Sequence, residues 1–291
     1  MFYILVSNHC GQAARVARIK EVCKKQYGSS PPPVNRAYTR ILVDETNKVL
    51  YCVIPKTGCS TWKTLFVNLS GNATLVESGE KIQVHGDDIN RYGIKYLNQY
   101  SRENREEILM DQSYMRFIVV RNPFDRLVSA FNDKINRTRF GYSNGYSGVI
   151  QYRKTTHDWG RGNFTKFAMF LTEENKPDHE EVDVHWAKYE DLCQPCSVHY
   201  DFILKLETVD TDLPQFLDII KANRTFIDNL NVRNSQRKKT FTGRILSEFV
   251  KVPEKVVKEL YDTYALDFEY FGYNFDFDSH QSVSETVNDS C

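Results

Sequence analysis

Two short apolar runs, each ending in a turn that leads straight into a helix start, constrain this chain more than any other feature. The first is Val49-Leu50-Tyr51-Cys52-Val53-Ile54, which stops at Pro55; the second is Arg116-Phe117-Ile118-Val119-Val120, which stops at Arg121. Neither alternates apolar with polar residues, so both faces of each strand need cover, as in a parallel sheet between helices. Helical periodicity follows each run. Trp62, Leu65, Phe66 and Leu69 fall at i, i+3, i+4 and i+7, with Gly71 as a stop. After the second run, Asn122 suits an N-cap, Pro123 the first helical position and Asp125 the first turn, while Phe124, Leu127, Val128, Phe131 and Ile135 line one face. Residues 200–206 predict a further strand, followed by a helix from near Asp212 or Pro214. Pro253 opens a last helix carrying Val256, Val257, Leu260, Tyr261 and Tyr264. Strands alternating with helices give the fold class: α/β, a parallel central sheet flanked by helices. Ligands of such sheets sit at the carboxyl ends of the strands, where both turns fall.

Composition limits the partners. Hydrophobic residues make up 41% of the 291 and aromatics 13%, enough for a sizeable core rather than a disordered chain. Lys+Arg and Asp+Glu both total 38, so no global basic excess draws the chain to nucleic acid or to a membrane. An anionic ligand has to be held by a local basic patch. Three prolines in Ser29-Ser30-Pro31-Pro32-Pro33 mark a linker or stiff turn. They separate a polar N-terminal segment (1–42), with a short polar helix over residues 15–26, from a main domain (43–275); residues 276–291 read as a disordered tail. No apolar stretch is long enough to cross a bilayer, and Phe2-Tyr3-Ile4-Leu5-Val6 is too short for a secretory signal. As given, the chain reads as soluble, or equally as a piece cut from a longer, anchored protein.

The two turns carry the chemistry. In Pro55-Lys56-Thr57-Gly58-Cys59-Ser60-Thr61-Trp62 a strand feeds a short loop and then a helix N-terminus, where exposed N–H groups and the helix dipole favour an anion. Lys56 adds a charge, Ser60 and Thr61 add hydroxyls, and Gly58 lets the backbone approach closely. The loop is no Walker A motif, because the lysine lies two residues before the glycine instead of following it. An ordinary βα turn with a solvated lysine is the alternative. In the second turn Arg121 stands at a strand end, able to fork onto a phosphate, and Ser129 lies two turns into the next helix. Two anion sites on one sheet suit a ligand with phosphate groups at both ends.

At this point the sequence resembles the Golgi carbohydrate sulfotransferases, in particular the chondroitin and dermatan 4-O-sulfotransferase group. The first turn is similar to their 5′-phosphosulfate loop and the second to their 3′-phosphate motif. Leu50-Tyr51-Cys52, Arg126-Leu127-Val128-Ser129-Ala130-Phe131, His185-Trp186, Leu192-Cys193-Gln194-Pro195-Cys196, Tyr200-Asp201-Phe202, Glu207-Thr208, Asp267-Phe268 and Phe271-Gly272-Tyr273 extend the match over about residues 43–273. The resemblance implies a P-loop-like sulfotransferase fold. It implies transfer of a sulfuryl group from 3′-phosphoadenosine 5′-phosphosulfate to a sugar hydroxyl, with the 4-hydroxyl of N-acetylgalactosamine in chondroitin or dermatan as the expected acceptor. Lys56 would be catalytic, Pro55, Lys56, Thr57, Gly58, Cys59, Ser60, Thr61 and Trp62 would hold the 5′ end of the donor, and Arg121 and Ser129 its 3′-phosphate. No metal is implied. A glycan is the expected partner, the Golgi lumen the expected place, and a membrane is reached only through the family's N-terminal anchor, which this chain does not carry. Where family members often have a proline soon after the His-Trp pair, this chain runs Ala187-Lys188-Tyr189, in a region expected to shape the acceptor site.

A sugar hydroxyl needs a general base. His85 is the first candidate, after Lys81-Ile82-Gln83-Val84 and between the two phosphate motifs, with His185, Asp87 and Asp88 in reserve; a surface or core-edge histidine is the plain alternative. The basic segment 233–244, with Arg233, Arg237, Lys238, Lys239 and Arg244, reads as a loop that contacts donor or acceptor. Of seven cysteines, Cys193 and Cys196 form a C-x-x-C for which a local disulfide is expected, two free thiols being the alternative. Sequons begin at Asn68, Asn72, Asn136, Asn163, Asn223 and Asn288 and point towards a secretory lumen; Asn68 is expected inside a helix, and Asn72 is the better acceptor. Two rival functions stand beside the main one. An atypical phosphotransferase lacks the Gly-Lys pair, and a non-catalytic glycan binder is at odds with intact Lys56, Arg121 and Ser129.

Overall fold

The structure, a computed structural model, describes residues 2–70, 84, 86–136, 147–158, 162–172, 182–222 and 248–275, without the side chains of 2–10, 86–88 and 147. In chain order these form helix α1 (Phe2–Tyr27), strands β1 (Ile41–Asp44) and β2 (Val49–Cys52), helix α2 (Cys59–Leu69), strand β3 (Lys95–Tyr96), helix α3 (Arg102–Met110) and strand β4 (Met115–Val120). Helices α4 (Pro123–Ala130), α5 (Ser147–Thr156), α6 (Phe164–Thr172), α7 (Tyr189–Cys193) and α8 (Pro195–Val198) follow. Strand β5 (Phe202–Lys205) and helices α9 (Val209–Ile219), α10 (Glu254–Thr263) and α11 (Ala265–Phe271) complete the described chain. Its residues fall into two compact units, one up to residue 121 together with 189–222, the other holding 122–188 and 248–275.

The first unit is built on a five-stranded sheet of order β3-β1-β2-β4-β5. β2, β4 and β5 run parallel, as the unbroken apolar runs require. The antiparallel strands β1 and β3 lie outside the alternating pattern. Their origin is local: Asp44 Oδ1 accepts from the Thr46 and Asn47 amides, folding the chain back so that β1 pairs with β2 from Ile41↔Cys52 to Asp44↔Val49. One face of the sheet packs on α2 and α9. Tyr51 stacks on Phe66 at 5.2 Å, and Phe117 on Phe216 at 4.1 Å, within a core that also holds Trp62, Leu65 and Phe202. Helix α9 starts three residues before Asp212, with Pro214 inside it, and the Thr208 hydroxyl ahead of it donates to Asp212 Oδ2 at 2.7 Å.

The N-terminal segment is more than the short helix expected over residues 15–26: α1 runs through 26 residues. Its role follows from β5 being an edge strand. Gln12 mimics a neighbouring strand, its Nε2 donating to Ile203 O (3.2 Å) and its Oε1 accepting from Ile203 N (3.1 Å). Arg15 donates to the same carbonyl at 2.9 Å and to Asp212 at 2.7 Å. The exposed ladder groups are thereby satisfied. The proline segment is pinned as well, since Pro32 O accepts from Ser197 Oγ and Pro33 O from Gln194 Nε2.

Cys193 and Cys196 do not close on each other. Cys193 pairs with Cys52 (Cα–Cα 6.0 Å) and Cys196 with Cys23 (5.3 Å). The left-handed Gln194 (φ 42°) ends α7 and Pro195 starts α8, so the two thiols belong to different helices. Cys59 is free.

The second unit opens on α4, started as the sequence predicts: Asn122 Oδ1 accepts from the Phe124 and Asp125 amides, with Pro123 behind it. Arg126 is buried and donates to Ala187 O (2.7 Å) and Val184 O (3.1 Å). Phe124 packs against Phe249, Phe268 and Phe275, and α10 begins after Pro253 as expected. Asn68 lies buried in α2, as its helical setting required, while Asn163 is exposed with its Oδ1 accepting from Lys166 N. Asn72, Asn223, Asn288, residues 233–244 and the expected tail lie outside the described residues.

Replacing Gln12 by leucine keeps its bulk and strands the Ile203 amide, so the variant is expected to lose about 1–3 kcal/mol of stability. Urea unfolding reads this directly; an unchanged midpoint would mean that the strand edge is satisfied without Gln12.

Candidate active site at the carboxyl ends of the parallel strands

The β2–β4 register, Val49↔Met115 to Cys52↔Ile118, brings the exits of both strands to one end of the sheet. From β2 the chain passes through buried Val53, Ile54 and Pro55 into the loop; from β4 it passes directly to Arg121. The loop is tightly shaped by its own side chains. Thr57 Oγ1 donates to Ile54 O (2.9 Å), and the Trp62 indole donates to Thr57 O (2.9 Å). Gly58 (φ +82°) caps α2, its carbonyl accepting from Thr61 N and Trp62 N. The earlier N–H groups of that first turn are left without helical partners, which is the arrangement that binds an oxyanion.

Lys56 has a left-handed backbone, φ +73°. For a residue with a Cβ this costs roughly 1 kcal/mol or more and needs support from its surroundings. Part of that support is visible: Arg121 NH1 donates to Lys56 O at 3.3 Å. Lys56 and Arg121, predicted separately from two turns, thus meet in one hydrogen-bonded constellation. Arg121 is 8% exposed, so its charge acts in a low dielectric and is little screened. Ser60 is exposed and Thr61 and Cys59 half-buried at the start of α2. Thr57 and Trp62 are buried, and their side chains hold the loop together rather than project from it. Ser129 is half-buried on α4 of the second unit.

Of the candidate bases, His85 lies outside the described residues. Its neighbour Val84 is buried in the core, and its carbonyl accepts from Lys63 Nζ of α2 at 3.1 Å. Lys63 itself is buried, with its ammonium 5.5 Å from the Tyr96 ring centroid. Asp87 and Asp88 stand in a 3₁₀ segment, Gly86–Tyr92. His185 belongs to the second unit and faces a buried carboxylate, Nδ1 lying 2.6 Å from Asp183 Oδ1. Among the described residues no cluster of His, Cys, Asp or Glu is placed to hold a metal ion.

Two residues at this end of the sheet escape sequence reading. Lys205, the register partner of Val120, is a buried lysine at the end of β5, and the next residue, Leu206, lies against the Gly58 loop. Its signal was a charge closing an apolar strand, the same signal that marked Arg121. Tyr189 was grouped with the acceptor-shaping region. Instead its fully buried hydroxyl donates to Arg121 O (2.7 Å) and accepts from Arg121 N (3.0 Å). A pairing across 68 residues leaves no local trace. Nearby, Tyr200 donates to Cys193 O at 2.7 Å; burial, with the Glu190 carboxylate second, pushes its hydroxyl well above the usual tyrosine range and keeps it a donor.

The profile of the sulfotransferase family matches residues 39–274, which contain both turns. The chain belongs to the sulfotransferase family. Human carbohydrate sulfotransferase 8 is 32% identical over 282 residues, covering 92% of this chain and 64% of the human protein. Carbohydrate sulfotransferase 14 of Danio rerio is 31% identical over 285 residues (92% and 73%), and carbohydrate sulfotransferase 11 of Mus musculus 30% over 243 residues (80% and 67%). The chain spans 64% and 60% of the lengths of human carbohydrate sulfotransferases 8 and 9. No solved structure matches it significantly.

For this sulfotransferase-family chain the loop geometry predicts a strict need for glycine at 58. A Cβ there would stand 3.3 Å from Trp62 Nε1 on a backbone of φ +82°. Gly58→Ala is expected to lose about 1 kcal/mol or more of stability in urea denaturation. A variant as stable as the parent would show that the loop relaxes freely.

Proposed function

We propose that this chain is a carbohydrate sulfotransferase that moves a sulfuryl group from 3′-phosphoadenosine 5′-phosphosulfate to a glycan hydroxyl. The observation that carries the reading is the Arg121–Lys56 hydrogen bond, which joins the two anion-binding turns of a sulfotransferase-family chain into one site. In the reaction the sugar oxygen bonds to sulfur while the bridging oxygen leaves with adenosine 3′,5′-bisphosphate, and the hydroxyl proton passes to a base. Lys56 would neutralise the charge growing on the bridging oxygen, a gain larger in the transition state than in the ground state. The amides at the start of α2, with Ser60 and Thr61, would hold the 5′-phosphate; Arg121 and Ser129 would hold the 3′-phosphate.

His85 is the base in this reading, on its place in the sequence between the two phosphate motifs. For the acceptor we propose the 4-hydroxyl of N-acetylgalactosamine in chondroitin or dermatan, on the motif resemblance of this chain. For location we propose the Golgi lumen. Two disulfides among the described residues suit an oxidising compartment, and so does the exposed sequon at Asn163.

The test is calorimetry with adenosine 3′,5′-bisphosphate. Micromolar binding is expected, weakened at least tenfold in Arg121→Ala through loss of charge-assisted hydrogen bonds and not reproduced by ATP. No binding by the folded chain would overturn the donor site, and a preference for ATP would favour a phosphotransferase. With a donor site in hand, His85→Ala is expected to abolish sulfation of desulfated chondroitin while nucleotide binding persists. Turnover retained in that variant would remove His85 as the base.

A further inference from the structure

Arg121 cannot serve two turns unless its direction is set from outside the site. β4 ends at Val120, and beyond it the backbone of Arg121 carries an N–H and a carbonyl that need partners in a buried setting. One hydroxyl meets both, since Tyr189 accepts from Arg121 N at 3.0 Å and donates to Arg121 O at 2.7 Å. It acts as one more rung of the ladder and carries the extended chain one residue further. From that point the guanidinium reaches Lys56 O at 3.3 Å.

Tyr189 is itself held rigidly, and by the same strand that feeds the phosphosulfate loop. It opens α7, whose last residue, Cys193, is bonded through its sulfur to Cys52, the last residue of β2. The Cys193 carbonyl accepts the Tyr200 hydroxyl, fixing the other end of the short helix. A closed path therefore runs from β2 through the disulfide to Tyr189, to Arg121, to Lys56 and back to β2.

We infer that Tyr189 is a positioning residue of the donor site: its hydroxyl sets Arg121 so that the guanidinium reaches the 3′-phosphate while bracing the Lys56 loop. The inference rests on the donor reading given above. It predicts a defect selective for the 3′-phosphate, which general loosening of the fold would not produce.

The experiment compares calorimetric affinities for adenosine 3′,5′-bisphosphate and adenosine 5′-monophosphate in wild type, Tyr189→Phe, Arg121→Ala and a variant with 4-aminophenylalanine in place of Tyr189. Tyr189→Phe is expected to weaken the bisphosphate about tenfold, the size of losing buried hydrogen bonds, with a smaller loss for the monophosphate, which feels only the loosened Lys56 loop. The 4-aminophenylalanine variant, whose amine stands where the hydroxyl does and can both donate and accept, is expected to restore most of the discrimination. Discrimination that survives Tyr189→Phe, or affinities for both nucleotides falling in parallel, overturns the role of Tyr189 alone. Should the Phe variant not fold, the 4-aminophenylalanine variant decides: loss as complete as in Arg121→Ala overturns the inference, and retention supports it. A wild type that does not distinguish the two nucleotides overturns the donor reading itself, and the inference with it.

Discussion

The parallel pairing of β2 with β4 is the constraint on which the site depends. Register from Val49↔Met115 to Cys52↔Ile118 decides that the Lys56 loop and Arg121 leave the sheet at the same end. A slip by one residue would turn either Tyr51 or Phe117 out of the aromatic core, depending on which strand moved, and so is blocked by packing, not by the site itself. The chemistry is thus placed by hydrophobic burial some distance away from it. Arg121 then converts a shared direction into a shared site by bonding across to the Lys56 carbonyl. The unfavourable backbone of Lys56 shows the same division of labour: the loop holds a conformation that its own sequence disfavours because neighbours hold it there.

A second requirement is that the sheet's far edge be closed without another strand. Gln12 and Arg15 do this for β5, and Arg15 continues to Asp212. Asp212 is buried, yet it accepts from Arg15, from Lys205 N and from Thr208 Oγ1, so its charge is compensated at each step. The two disulfides among the described residues close very long loops, with sequence separations of 173 and 141. Chain entropy alone assigns each on the order of 4–5 kcal/mol, in a model-dependent way. Cys23–Cys196 ties down α1 and Cys52–Cys193 ties α7 to β2, so both links reinforce contacts between elements distant in sequence.

What was legible in the sequence follows from range. The strand exit at Arg121, the Asn122 cap with Pro123 behind it, the face of α2 and the start after Pro253 are all local patterns, and each appears where the pattern placed it; β2 ends at Cys52, short of the apolar run's end at Ile54. The C-x-x-C misled for the same reason: proximity in sequence suggested a bond that the Gln194 turn rules out, and the true partners are Cys52 and Cys23. β1 and β3 are short and antiparallel, and their signal, the Asp44 turn, is weaker than an apolar run. Tyr189 and Gln12 act through side chains on backbone far along the chain, where no periodicity reports them. In the candidate site, Lys56 and Arg121 could be read from their turns; Lys205, and the residues that hold Arg121 in place, could not.

Equal totals of acidic and basic residues give this chain no long-range pull on an anion. An anion would have to be captured by short-range, desolvated contacts, and the candidate site offers them. Arg121 and Lys205 are buried at neighbouring strand ends, where salt screens their charges poorly, and the first amides of α2, nearer the surface, add partial charge. Burying cations costs desolvation energy unless each is satisfied. For Arg121 part of that satisfaction comes from the Lys56 carbonyl, a neutral acceptor for its guanidinium. The Tyr189 hydroxyl acts on the backbone instead, taking up the N–H and the carbonyl of Arg121 where the strand pairing ends. Side chain and main chain of the same residue are thus anchored separately, one to the β2 loop and the other to the helix that the Cys52–Cys193 disulfide ties to β2, so the direction of Arg121 is set by the sheet and not by a ligand.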